Sequence, residues 1–189
     1  MEYVEPIRDR KKLDDLKKIL RGTNLRDYCL FVLGINSGLR ISDLLSLTVG
    51  DVKVARGKIV ERIRVREKKT GKGKDFPLGN NARKALEEYL ATRPGADVSE
   101  PLFLSRKGNG FLQRTQVWKI LNRAAQSVGI QGHIGTHTLR KTFGYWAYKQ
   151  GKDLSLVQKL LNHHSPATTL RYIGITQEDM DEVYLTINL

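Results

Sequence analysis

Across residues 58–67, KIVERIRVRE, the apolar spacing of the chain switches from helical to alternating. Ile59, Glu61, Ile63 and Val65 fall on one side, and Val60, Arg62, Arg64 and Arg66 on the other, as in a strand with one wet, basic face. KKTGKGK supplies a glycine-bearing turn, and DFPL returns as a second strand. A third strand is expected near Val52–Val54. The spacing predicts a small three-stranded antiparallel sheet, inserted after the third helix of a mostly helical chain. The fold class is therefore α+β, mainly α.

The remaining segments read at helical period. Leu13, Leu16, Ile19 and Leu20 share a face, and Gly22 ends that helix. A second helix runs from about Asn24 to Ser37, with Gly38 at its stop. A third starts at Ser42, with Asp43 in its first turn. After the sheet come an amphipathic helix over 81–90, a short extended PLFLS, a turn at Lys107–Gly110 and a helix over 115–128. Thr136 is expected to cap a helix running to Gln150. Further helices span 155–162, begin at Pro166, and open at the near capping box Thr176-Gln177-Glu178-Asp179.

The chain has 189 residues, 33 Lys and Arg against 20 Asp and Glu, and a net charge of +13. With 40% apolar residues it can bury a core, and its cationic balance points to a polyanion, most often nucleic acid. One cysteine allows no intrachain disulfide and no thiolate metal cage, and Cys29 reads as a small core residue. No stretch offers the roughly 20 apolar residues of a membrane helix, and the N-terminus has no hydrophobic signal core, so a cytoplasmic location is expected. Phosphate-binding glycine loops and the H-E-x-x-H zinc pattern are absent, and the adjacent His163 and His164 make a poor metal pair.

Several groups suited to phosphate stand at structure-defined places. Arg40 lies in the turn of SGLRISDLL; alone it reads as a solvated loop arginine. Lys69 sits at the hairpin tip, where an ammonium either enters a groove or only attracts phosphates non-specifically, as Lys68, Lys72 and Lys74 are expected to do. His137 and Arg140, spaced i, i+3, can address one phosphate from one helix face. His163 ends a helix and can donate to a phosphate oxygen. Tyr172 is either a core aromatic or a nucleophile whose proton a base removes. Tyr145, Tyr148 and Tyr184 read as core aromatics.

Taken in order, SGLRISDLLSL, KTGKGKDFPL, HTLRKTF and LLNHHSPATTLRYIGIT resemble the motifs of the tyrosine recombinases, or phage integrases, over about residues 8–180. The resemblance implies the DNA breaking-rejoining fold, with a lead-in over 1–9, a catalytic domain over 10–175 and a C-terminal tail helix over 176–189 that can exchange between subunits. One departure from the family is Asn162, where glycine is usual before the second histidine; asparagine tolerates a left-handed conformation. Relatives usually carry an N-terminal core-binding region. The chain is thus expected to be either an excised catalytic domain or a short natural protein.

The resemblance further implies site-specific recombination, integrating or excising a mobile element. Tyr172 would attack a DNA phosphodiester and form a 3′-phosphotyrosine, with neither cofactor nor metal. Arg40 and Arg140 would clamp the phosphate, and Lys69 would protonate the leaving 5′-oxygen. His137 would assist proton transfer at Tyr172, His163 would hold an oxygen, and Asp43 would orient the site. Arg62, Arg64, Arg66, Lys68, Lys72 and Lys74 would bind flanking DNA. The implied partners are double-stranded DNA at an attachment site, a homotetramer on that DNA, and an excisionase or DNA-bending accessory protein. The alternatives are a DNA-binding module without turnover, a type IB-like topoisomerase, and a basic RNA-binding protein.

Overall fold

In a computed structural model the described residues are 4–54, 57–106, 110–132 and 134–187. Helices α1 (Arg10–Thr23), α2 (Leu25–Ser37) and the short α3 (Ile41–Leu45) precede the hairpin β1 (Arg62–Arg66) and β2 (Gly73–Pro77). Then follow α4 (Asn80–Ala91), α5 (Arg114–Ser127), α6 (Thr138–Lys149), α7 (Leu154–Leu160), α8 (Pro166–Ile173) and α9 (Gln177–Thr186).

The caps explain most helix starts. Asp9 accepts from the Lys11 and Lys12 amides to open α1, and Asn24 accepts from Asp27 to open α2. Ser165 caps α8 with Pro166 in its first turn, and Thr176 with Asp179 forms the expected capping box of α9. Thr136, by contrast, does not cap α6. The N-cap there is His137, without a side-chain cap bond, while the Thr136 hydroxyl accepts from Arg114 Nε at 3.0 Å.

The sheet is smaller than the sequence predicts. Among the described residues it has two antiparallel strands, paired from Arg62↔Pro77 through Val65↔Lys74 to Arg66↔Gly73. No third strand forms at 52–54. Instead Asp51 accepts from the amide and hydroxyl of Thr48, which winds Val49–Asp51 into a 3-10 turn. Only an isolated Lys53↔Ile59 bridge remains there. The turn expected at Lys107–Gly110 falls mostly outside the described residues.

The larger core packs α1, α2, α4 and α5 around Leu16, Phe31, Leu33, Leu86, Phe103 and Leu121. A smaller cluster joins α6, α7 and α8 through Tyr145, Val157, Leu161 and Ile173. Cys29 is fully buried, and burial raises its thiol pKa, as suits a core residue. Tyr145 is buried as expected, but Tyr184 is 83% exposed on α9 and is no core aromatic. The extended lead-in is tied to α6: the Ile7 amide donates to Thr142 Oγ1 and Trp146 Nε1 donates to Ile7 O, both at 2.9 Å.

Gly38 ends α2 with φ +59°, and a Cβ there would lie 2.5 Å from Phe143 Cδ1. Both the left-handed backbone and this contact exclude larger residues. Gly38→Ala is expected to cost about 1–3 kcal/mol, read as a lower denaturant midpoint.

Candidate active site

Each candidate group owes its position to a local element boundary. Arg40 lies just after the left-handed stop of α2 and is the N-cap of α3. Arg140 projects from the first turn of α6. It is 2% exposed, and its two terminal nitrogens donate to Gly38 O and Leu161 O. One guanidinium therefore fastens the α2–α3 turn to the end of α7. Asp43, 1% exposed in α3, accepts from the Lys68 amide at 3.0 Å and so holds the hairpin turn against the same region.

His163 follows Asn162, whose φ of 50° makes it the one non-glycine residue with positive φ among those described. The left-handed turn expected of this asparagine is present. His163 Nδ1 lies 3.2 Å from Thr169 Oγ1, and Thr169 Oγ1 donates to Ser165 O at 3.0 Å. A hydroxyl has one proton to give, so the bonding network assigns the His163 proton to Nδ1 and leaves Nε2 as an acceptor in the neutral ring.

Tyr172, near the end of α8, meets both histidines. Its hydroxyl is 3.4 Å from His137 Nδ1, and its ring lies edge-on to His163 with centroids 4.7 Å apart. Burial raises the phenol pKa, opposed by the nearby positive charge of Arg140 and Arg40. Burial, then Arg114, Arg140, Lys141 and Arg40, lower the His137 pKa, which favours the neutral ring beside the phenol. Burial followed by Arg140 and Arg40 brings His163 down to about 4.

That shift has a consequence for stability. Folded His163 stays neutral until about pH 4, whereas in the unfolded chain it protonates near 6.5. As pH falls between those values the unfolded state binds the extra proton, so stability declines. His163→Gln is expected to flatten this acid limb, measured as unfolding midpoint against pH.

The structure therefore brings Arg40, Asp43, His137, Arg140, His163 and Tyr172 together. Lys69 stands exposed in the hairpin turn, with no hydrogen bond or ion pair among the described residues. Arg62, Arg64 and Arg66 are exposed on the outer face, where Asp75 pairs with Arg62 at 2.7 Å and Arg64 at 3.4 Å. Arg66 donates to Gly71 O and Lys72 to Asn162 Oδ1.

Lys74 turns the other way. It pairs with Val65 on the inner face, and its ammonium donates to Ser37 O at 3.1 Å and to Gly38 O and Leu160 O at 3.4 Å. Burial and the two arginines lower its pKa to about 8. Sequence reasoning grouped it with the DNA-binding lysines, although its i, i+2 relation to Phe76 already places it inward. The sequence reading also passed over Glu67, which lies 2.7 Å from Arg40 Nη1, and Lys141, whose ammonium sits 5.3 Å from the Tyr172 ring centroid. An apolar-walled cavity of about 700 Å³ adjoins Tyr172 and His137, with Trp118 and Arg114 of α5 on its rim.

Comparison with known proteins identifies the family and the fold. The Phage integrase family matches residues 9–179. The chain is 40% identical over 184 residues to the "Probable integrase/recombinase YoeC" of Bacillus subtilis (strain 168), covering 97% of each protein. It is 36% identical over 160 residues to "Tyrosine recombinase XerC" of Pelobacter propionicus, covering 85% of this chain but only 51% of that protein. The chain thus spans about half the length of XerC relatives. Its fold matches the crystal structure of XerA recombinase with a TM-score of 0.78 at 22% identity, over 100% of this chain and 66% of that one. It also matches a XerH site-specific recombinase bound to its difH substrate, with a TM-score of 0.75 at 22% identity, over 94% and 51%. With the motifs, the fold and the grouped side chains in agreement, the chain belongs to the phage integrase family, the tyrosine recombinases.

Proposed function

We propose that this chain cuts and rejoins DNA at a specific site through a covalent 3′-phosphotyrosine on Tyr172. The observation that carries this reading is the placement of the phenol oxygen 3.4 Å from His137 Nδ1, within the field of Arg140 and Arg40. Tyr172 Oη attacks the phosphorus while His137 Nδ1 takes its proton. Arg40 and Arg140 stabilise the charge gathering on the non-bridging oxygens. The bond to the 5′-oxygen breaks, and Lys69 gives that oxygen a proton once the exposed hairpin turn closes on the DNA. A 5′-hydroxyl of a partner strand then attacks the phosphotyrosine, restoring a phosphodiester and returning the proton to Tyr172. The bond energy stays in the covalent link, so this route calls on neither nucleotide triphosphate nor metal.

His163, neutral before DNA arrives, gains a proton when a phosphate offsets the neighbouring arginines, and then donates from Nε2 to a phosphate oxygen. We propose cytoplasmic integration or excision of a mobile element as the setting; among the described residues no helix is long and apolar enough to cross a membrane. A DNA-bound tetramer is proposed to form through α9 and the residue that follows it, where Val183, Tyr184, Leu185 and Ile187 are all more than half exposed.

A pool of nicked duplexes randomised around the nick tests the reading. A denaturing gel is expected to show a protein–DNA adduct. A chain that binds the pool but forms no adduct would be a binding module, and plasmid relaxation without a preferred sequence would make it a topoisomerase. Binding is also expected to weaken steeply with salt, and Arg64→Ala should lower the log–log slope by about 1.

A further inference from the structure

Glu67 follows β1, and the period-two pattern of Ile63 and Val65 turns it inward, where it is 3% exposed. Its Oε1 lies 2.7 Å from Arg40 Nη1 and 3.9 Å from Arg140 Nη1. Its Oε2 accepts from Thr70 Oγ1 at 2.7 Å and from Asn162 Nδ2 at 3.4 Å. Its backbone closes the hairpin turn, since its amide donates to Lys72 O and its carbonyl accepts from the Gly71 amide. One carboxylate thus touches the α2–α3 turn through Arg40, α6 through Arg140, the Lys69 turn through Thr70, and the His163 loop through Asn162.

We propose that Glu67 is a positioning residue for the strand-transfer site, holding the two arginines aimed at the phosphate and coupling to them the turn of Lys69 and the loop of His163. Two guanidiniums in so small a space repel, and the carboxylate offsets that repulsion. It sits deeper than the group it holds, because the Arg40 side chain is 18% exposed and that of Glu67 only 3%. The carboxylate therefore lies behind the guanidinium and leaves its outer edge for a phosphate. Burial alone would raise the Glu67 pKa, but Arg40, Thr70 and Arg140 outweigh it and lower the value, so the group stays ionised at neutral pH. The motifs that carry the family resemblance assign Glu67 no role, and it is joined to Asn162, a residue at which the chain departs from those motifs.

The proposal rests on the strand-cleavage reading above. Glu67→Gln keeps the shape and removes the charge. Under single-turnover conditions with the nicked duplexes, it is expected to slow adduct formation about 10–100-fold, as misplacement of a clamp does. DNA affinity should stay within about threefold, because the phosphate contacts remain available. A purely structural ion pair would lower the melting temperature and leave the rate at saturation unchanged. Asn162→Gly keeps the left-handed backbone, removes one link and is expected to slow the reaction about 3–10-fold; it decides the matter if the glutamine variant does not fold. Amide exchange by mass spectrometry needs no activity: Glu67→Gln should raise exchange at both 68–72 and 161–164. If the wild-type chain forms no adduct, strand cleavage fails and this exchange alone decides the coupling. A wild-type chain that reacts while both variants match its rate, a parallel loss of rate and affinity, or unchanged exchange in either segment would each overturn the proposal.

Discussion

Replacing Tyr172 by phenylalanine is expected to abolish covalent DNA attachment while leaving the fold and DNA affinity intact. The substitution removes one oxygen from a half-buried ring whose packing against His163 depends on the ring alone. Tyr145 is buried in the smaller core and Tyr184 is carried on α9 at 83% exposure, so neither of these phenols stands where Tyr172 does. The loss should therefore be complete rather than partial on a denaturing gel. An equilibrium titration with the same DNA should stay within about threefold of wild type, because phosphate contacts to cations dominate affinity. A Tyr172→Phe variant that still became trapped on nicked DNA would remove the proposed nucleophile.

Arg140→Ala is expected to show two separable losses. Removing a fixed donor from a charge-developing site costs on the order of 10²–10³ in rate. Removing the same guanidinium also strips Leu161 O of its donor and leaves Gly38 O only the Lys74 ammonium at 3.4 Å, in a region with little access to water. Leaving such groups unpaired costs about 1–3 kcal/mol, so the denaturant midpoint should fall as well. Arg140→Lys separates the two: it keeps the charge but lacks the rigid planar fork that can hold carbonyls and still present paired donors to a phosphate, and a rate loss of at least about tenfold is expected even where the fold is largely recovered. A rate within about threefold of wild type at saturating DNA would place the phosphate elsewhere.

The sequence shows which residues are candidates for the site more readily than how they are held. Arg40, His137, Arg140, His163 and Tyr172 stand beside helix boundaries that caps and glycines announce, and their order carries the family resemblance. The same period-two rule that identifies β1 assigns Glu67 and Lys74 to its inner face. Both lie beyond Val65, where the charged side chains of the turn mask the alternation, so neither reads as part of the clamp from sequence. The third strand failed for a local reason: three residues of alternation at 52–54 cannot outweigh the Thr48–Asp51 cap that winds the preceding turn. Tyr184 shows the opposite limit. Its helical spacing marks an apolar face, but nothing in the α9 sequence says whether that face meets its own domain or another molecule. The convergence of α2, α6, the hairpin and the α7–α8 loop on one carboxylate depends on tertiary contacts that no local pattern encodes.

The most direct test of the account is the identity of the side chain that carries DNA. After reaction with nicked duplexes, the trapped protein is digested with nuclease and protease, and the nucleotide remnant is located by mass spectrometry. The account predicts a 3′-phosphonucleotide on Tyr172 alone. A remnant on any other side chain, or no remnant from a chain that binds the same DNA, would contradict it.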